Sequence, residues 1–319
     1  MGKVKIAFIG AGGMANLVHY PSLSSIADAE IVGISDLMEE KLEQTAKKYN
    51  IGQTFTDYRK LIEKTSPDAV YIIMPPHHMY DIAAYCLNLG LNIFIEKPPG
   101  ITKEQTRQLA NIAEKKEALT MTGFQRRFAP VMTEAKKMID ERGGTLQCQA
   151  NFFKNYIDKP PYYNGAIDIL TCDAIHSVDI LRWIAGEPKK IASSVKSRFA
   201  GYDNCFYAMV EFESGAVGLL SANWVSGKRI YSVEMHGKGI CAFINPEESA
   251  IIYKDGEEKG CALNASELAG SGELFKRAGF YQENLHFVNC IKTKQQPQTN
   301  FADSVKTMEF VERIYRSTI

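Results

Sequence analysis

The feature that most restricts this chain is a glycine turn only ten residues from its start. Residues 4–9, Val-Lys-Ile-Ala-Phe-Ile, read as a short buried strand and run directly into Gly10-Ala11-Gly12-Gly13-Met14-Ala15. In a G-x-G-x-x-A order the first glycine permits the tight turn. The second bares the backbone to an approaching pyrophosphate, and the alanine lets the following helix pack closely on the strand. The helix N-terminus then faces the phosphates. The pattern predicts dinucleotide binding by Gly10, Gly12, Gly13 and Met14.

The next hundred residues repeat strand and helix. Strands are expected at Glu30–Ser35, Asp68–Met74, Asn92–Ile95 and Leu119–Thr122. Helices are expected after the glycine turn, over Glu39–Tyr49, and over Ile82–Leu89 with Gly90 as C-cap. Another starts at Thr102, where Gln105 completes a capping box. Such alternation predicts an α/β Rossmann domain with a doubly wound parallel sheet, ligand at the carboxyl ends of its strands.

The pattern changes near residue 123. One helix is expected at about Pro130–Glu141 and a longer one at about Ile169–Ala185. Around them lie strands at Leu146–Phe153, Cys205–Phe212, Ala216–Ala222, Ile230–His236, Ile240–Ile244 and Ala250–Tyr253. Glu213-Ser-Gly215 and Gly237-Lys-Gly239 are hairpin signals. The expectation is an α+β domain with a mainly antiparallel open sheet, residues 123–319, after a nucleotide domain at 1–122. A final helix over Ala302–Arg316 is read as able to pack back on the first domain.

Bulk numbers exclude several functions. Lys plus Arg and Asp plus Glu are 37 each, so no broad field favours nucleic acid or an anionic membrane. The seven cysteines are irregularly spaced without a Cys-x-x-Cys pair, which argues against a disulfide framework or zinc knuckle. No secretory pattern or membrane-length apolar run is visible, so a cytoplasmic protein is expected, without nucleic-acid or membrane partners.

Asp36 closes the second strand. Its carboxylate suits the hydroxyls of an adenine ribose and opposes an extra 2′-phosphate, and no arginine follows to hold one. NAD is therefore expected over NADP.

Ile95-Glu96-Lys97-Pro98 ends a strand at the expected ligand edge. Gly123-Phe-Gln-Arg-Arg-Phe128 follows, and then Asp173-Ala-Ile-His176-Ser-Val-Asp179-Ile-Leu-Arg-Trp183. These motifs and the glycine turn, in this order and at fitting intervals, make the chain resemble the Gfo/Idh/MocA family of glucose–fructose oxidoreductase and inositol dehydrogenase. The resemblance implies a dehydrogenase of a sugar, polyol or cyclitol, built as a homodimer or homotetramer. It implies that Lys97 is the ammonium acting on the reacting oxygen. A redox-neutral, NAD-using glycosidase and a non-enzymatic NAD sensor are the rival readings.

The chemistry needs such groups. A hydride leaves a carbinol as its hydroxyl loses a proton; an ammonium stabilises the developing charge and a base near neutrality takes the proton. His176 is the base. On a helical wheel it points away from the apolar stripe of Ala174, Val178, Leu181 and Ala185, so a polar face is expected for it. Asp173 is its orienting carboxylate, with Cys172 and Asp179 at competing positions. The family more often places an aspartate where Cys172 stands, and Thr-Pro-Asn where this chain has Met74-Pro75-Pro76. Substrate contacts are assigned to Lys97, Arg127, Tyr163, Asp173 and His176, and further cofactor contacts to Pro75, Glu96, Lys97 and Gln125. Glu96 orients Lys97 or the nicotinamide end, or is a salt-bridge partner. Gln125 and Arg127 face substrate or cofactor. Tyr162, Tyr163 and Asn164 stack on and hydrogen-bond a sugar ring, or pack a loop. No metal site is expected, because His77 and His78 diverge and lack carboxylate or thiol neighbours.

Overall fold

The computed structural model describes residues 2–319. The chain forms two compact units. The first holds residues up to Phe124 together with Phe280–Val305, and the second holds Gln125–Gly279 and Lys306–Ile319. Residues 280–305, which the sequence reading leaves with the second domain, thus group with the first.

The first unit is built on strands β1 (Val4–Ile9), β2 (Ala29–Ser35), β3 (Thr54–Phe55), β4 (Ala69–Ile72), β5 (Asn92–Ile95) and β6 (Thr120–Thr122). They lie in the order β3-β2-β1-β4-β5-β6, every pairing parallel. The order reverses between β1 and β4, which is the switch point where ligands of such sheets bind.

Strand alternation explains the core. Ala7, Ile9, Val70, Ile72, Ile93 and Ile95 form an aliphatic face that packs with Met79, Ile82, Leu109 and Phe301. The intervening residues make an aromatic face. Phe8 stacks on Tyr20 at 4.1 Å, Tyr71 on Phe94 at 4.6 Å, and Phe287 meets both Tyr71 and Phe94 edge-on at 5.8 Å. Both faces are dry, so the strands read as continuous apolar runs. Phe287 belongs to the helix Phe280–Thr293, which the sequence reading does not include.

Local chemistry sets the helix ends. The Thr102 hydroxyl accepts the Gln105 amide at 3.1 Å, as a capping residue should. The Gln105 side chain reaches one residue further back than in a standard box, accepting from the Ile101 amide at 2.9 Å. The helix after the glycine turn opens with a wide turn at Ala15–His19, Tyr20 N–H bonding to the Ala15 carbonyl. Pro21 brings no amide to the next carbonyl, and the Tyr49 hydroxyl donates to the Asn16 oxygen at 3.2 Å instead.

The second unit carries strands β7 (Gln147–Asn155), β8 (Pro188–Lys196), β9 (Cys205–Phe212), β10 (Val217–Asn223), β11 (Val225–Gly237), β12 (Ile240–Asn245), β13 (Ser249–Lys254) and β14 (Cys261–Asn264). Their order is β14-β13-β12-β11-β7-β10-β9-β8. Only β7 and β10 pair in parallel. Helices Pro130–Asp140 and Ile175–Ala185 pack on the sheet. Alternate residues such as Tyr207, Met209, Phe243 and Ile251 are exposed.

The expected single helix over 169–185 begins instead as a π-turn, Leu170–Ala174, and becomes regular at Ile175. The polar face expected for His176 is not there. His176, Ser177, Asp179 and Arg182 are all buried, because helix and sheet enclose this element on nearly every side. No helix among the described residues is long and apolar enough to cross a membrane.

Candidate active site

In the first unit the ends of β1, β4 and β5 share one sheet edge. Gly10 has φ +112°, and a Cβ there would sit 2.1 Å from the Ile73 carbonyl oxygen. Only glycine allows the turn after β1 to pass so close to the end of β4. Gly12 and Gly13 differ: an added Cβ would meet nothing within 4 Å, and neither has a positive φ. The fold itself makes no demand for glycine at these two positions. Bare backbone facing open space at a helix start is what a pyrophosphate requires, so the turn fits a dinucleotide. Met14 is exposed beside it, and Ala15 is fully buried against the sheet.

Asp36 uses one carboxylate oxygen to accept the Ala11 amide at 2.7 Å and the other to accept the Met38 amide at 2.9 Å. Pro75 is exposed just past β4. Glu96 and Lys97 follow β5 on the neighbouring strand. Glu96 is 7% exposed. It pairs with His19 Nε2 at 3.0 Å through Oε1 and accepts the Lys97 amide at 3.1 Å through Oε2. Glu96 is thus held by a histidine the sequence reading does not mention. The signal was available, since His19 stands beside Val18 and Tyr20 on an otherwise apolar helix face.

In the second unit, Gln125 and Arg127 are buried. Arg127 forks onto Asp179, its Nε at 2.7 Å from Oδ2 and a terminal nitrogen at 2.5 Å from Oδ1. The Thr307 hydroxyl donates to the same Asp179 oxygen at 2.9 Å. Asp179, a competitor for supporting His176, is therefore engaged with Arg127 and Thr307. Asp173 accepts from Lys154 and, at 2.9 Å, from the Tyr162 hydroxyl. Trp224 Nε1 donates to that hydroxyl at 2.7 Å. Burial first, and the Asp173 charge second, push the Tyr162 hydroxyl well above its usual range, so it stays a donor. Its neighbour Tyr163 is 46% exposed in a left-handed turn with φ +50°.

Lys154 and Trp224, which sequence reasoning missed, thus join Tyr162 in the network around Asp173. Cys148, Ala150 and Phe152 alternate inward along β7, and Lys154 continues that register as an inward cation. The strand was expected to end one residue earlier, which hid the signal. Among the described residues no three His, Cys, Asp or Glu side chains cluster as a metal site would require.

Comparison with known proteins identifies the family. Residues 4–124 match the oxidoreductase family with an NAD-binding Rossmann fold, and residues 132–239 match the GFO/IDH/MocA C-terminal domain. The chain is 23% identical to scyllo-inositol 2-dehydrogenase (NAD(+)) of Bacillus subtilis, over 96% of this chain and 92% of that one. It is 29% identical to D-glucoside 3-dehydrogenase of Escherichia coli, over 83% of each. A levoglucosan dehydrogenase solved with NADH and levoglucosan shares the fold with a TM-score of 0.87 at 19% identity, covering 99% of this chain and 97% of that one. With an NAD-binding Rossmann domain followed by the family's second domain, the chain belongs to the Gfo/Idh/MocA family of oxidoreductases.

Proposed function

We propose that the protein is an NAD-dependent dehydrogenase of a sugar, polyol or cyclitol. The observation that carries this reading is the placement of Lys97 after β5, on the same sheet edge as the open backbone of Gly12 and Gly13. The names of the inositol and glucoside dehydrogenases support the substrate class.

Gly10, Gly12, Gly13 and Met14 hold the phosphates. Asp36 takes the adenine ribose, and Pro75, Glu96 and Gln125 serve the nicotinamide end. When bound, the nicotinamide accepts or returns a hydride. Lys97 places its ammonium at the substrate oxygen and stabilises the charge that develops there. His176 exchanges the hydroxyl proton, and the buried setting limits competition from water. Asp173, fixed by Lys154 and Tyr162, orients His176 and stabilises its charged form. Arg127 and Tyr163 complete the substrate contacts.

The test is a panel of polyols, cyclitols and aldoses incubated with NAD, with NADH absorbance and product followed together. A member that yields NADH and the matching ketone or lactone in equal amounts supports the reading. Glycoside cleavage with no net NADH, or cofactor binding without turnover of any member, overturns it.

A further inference from the structure

Glu283, on the helix Phe280–Thr293, has no exposed surface, and among the described residues neither of its carboxyl oxygens has a hydrogen-bond partner. An ionised carboxylate so placed is far costlier than a neutral carboxylic acid. Its neighbour Asn284, also fully buried, donates from Nδ2 to the Phe280 carbonyl at 2.7 Å and to His19 Nδ1 at 3.3 Å. With Nδ1 accepting, the ring proton of His19 sits on Nε2 and is donated to Glu96 Oε1. Glu96 in turn holds the Lys97 amide. A chain of hydrogen bonds thus runs from Asn284 through His19 and Glu96 to the backbone of Lys97.

Among the described residues, the surroundings of Glu283 offer it no compensating cation. The strand β4 presents Tyr71, whose hydroxyl is buried and likewise without a partner. The residue after β5 is Glu96, a second carboxyl group. The first helix presents His19, already engaged by Glu96 and Asn284. On Glu283's own helix, His286 accepts from the Gln298 amide at 3.2 Å. Burial, and then the charge of Glu96, push the Glu283 carboxyl well above the usual range.

We infer that Glu283 is a neutral, proton-carrying carboxyl group that, with His19 and Asn284, positions Glu96 and through it Lys97. The two carboxyl groups then share one negative charge, located on Glu96, where the two N–H donors are. Loss of the Glu283 proton would place a second negative charge in the same dry pocket. The readiest relief is movement of Glu96 away from His19, taking the Lys97 backbone with it. The inference rests on the reading of Lys97 as the group that acts on the substrate oxygen.

Glu283→Gln copies the neutral acid and tests the idea in the full chain. The folded state binds this proton more tightly than the unfolded chain, where a glutamate titrates near 4.3. Its contribution to stability is therefore full below that value and is lost as pH rises toward the folded-state value. Glu283→Gln removes the loss, so its Tm advantage over the parent should grow from pH 5 to pH 9. An infrared difference spectrum of parent minus variant at pH 7 should show a protonated-carboxyl C=O band. Glu283→Ala should lower kcat, and Glu283→Gln should restore it and hold it to higher pH than the parent does. His19→Asn should lower kcat more than it changes KM for NAD. No carboxyl band, a Tm gap independent of pH, or equal kcat losses in the Gln and Ala variants would overturn the inference. Near-parent kcat in Lys97→Ala would instead remove the last link, while the band and the Tm gap still decide the charge of Glu283.

Discussion

The carboxylate of Asp36 accepts the amide proton of Ala11 at 2.7 Å, so the residue that ends the second strand also ties down the turn that ends the first. Under the proposed role of Asp36, cofactor choice and turn geometry are linked through one side chain. NAD should give a higher kcat/KM than NADP, because the carboxylate opposes a 2′-phosphate. Asp36→Ser should narrow that ratio. It should also lower Tm, since an amide that loses its acceptor costs about 1–3 kcal/mol. Steady-state kinetics with both cofactors and a melting curve check both halves. NADP preference in the parent protein would refute the assignment.

Lys97→Ala should reduce kcat by about 100-fold or more, the scale seen when one electrophilic donor is removed. NAD affinity, measured by fluorescence or calorimetry, should stay close to that of the parent, because the proposed phosphate site is the glycine turn and not Lys97. Activity should survive dialysis against a chelator, since the ammonium supplies the positive charge.

The hydrogen bonds around Asp173 rank three variants. Asp173→Asn should lower kcat and the apparent pKa of the base, because an amide stabilises an imidazolium less well than a carboxylate does. Tyr162→Phe removes one donor to Asp173 and should have a smaller effect in the same direction. Cys172→Ser should do little. A pH–rate profile for each variant settles the order; an inactive Cys172→Ser beside a normal Asp173→Asn would reverse the assignment.

Asp179→Ala is expected to act on stability first. It would leave Arg127, whose side chain is 5% exposed, without its bidentate partner. Breaking a buried pair of this kind costs about 3–5 kcal/mol. Chemical denaturation should show the loss, and Asp179→Asn should recover part of it.

The parts of this molecule that follow from short-range rules were readable in the sequence. The glycine turn, the strand and helix periods, the Thr102 cap and the hairpin glycines all depend on neighbours a few residues away. The contents of the site depend on distant ones. Asp173 meets Lys154 across 19 positions, and Glu96 meets His19 across 77. His176 was assigned to a polar face because the wheel shows only its own helix, whereas the sheet and the neighbouring elements cover the rest. The helix Phe280–Thr293 escaped notice because its buried side mixes Phe287 and Val288 with Glu283 and Asn284, which blurs the apolar stripe.

The return of residues 280–305 to the first unit has a consequence for how the chain can be cut. A fragment ending near Phe124 would keep all six parallel strands yet lack Phe280, Phe287 and Phe301. Tyr71 and Phe94, which Phe287 covers edge-on, would then lie open to water along one side of the sheet, and a contiguous patch of that kind invites self-association. The nucleotide-binding half is therefore no portable module. Expression as an isolated N-terminal piece should give aggregates. A shortened chain in which a flexible linker joins residue 124 directly to residue 280 should restore a soluble sheet.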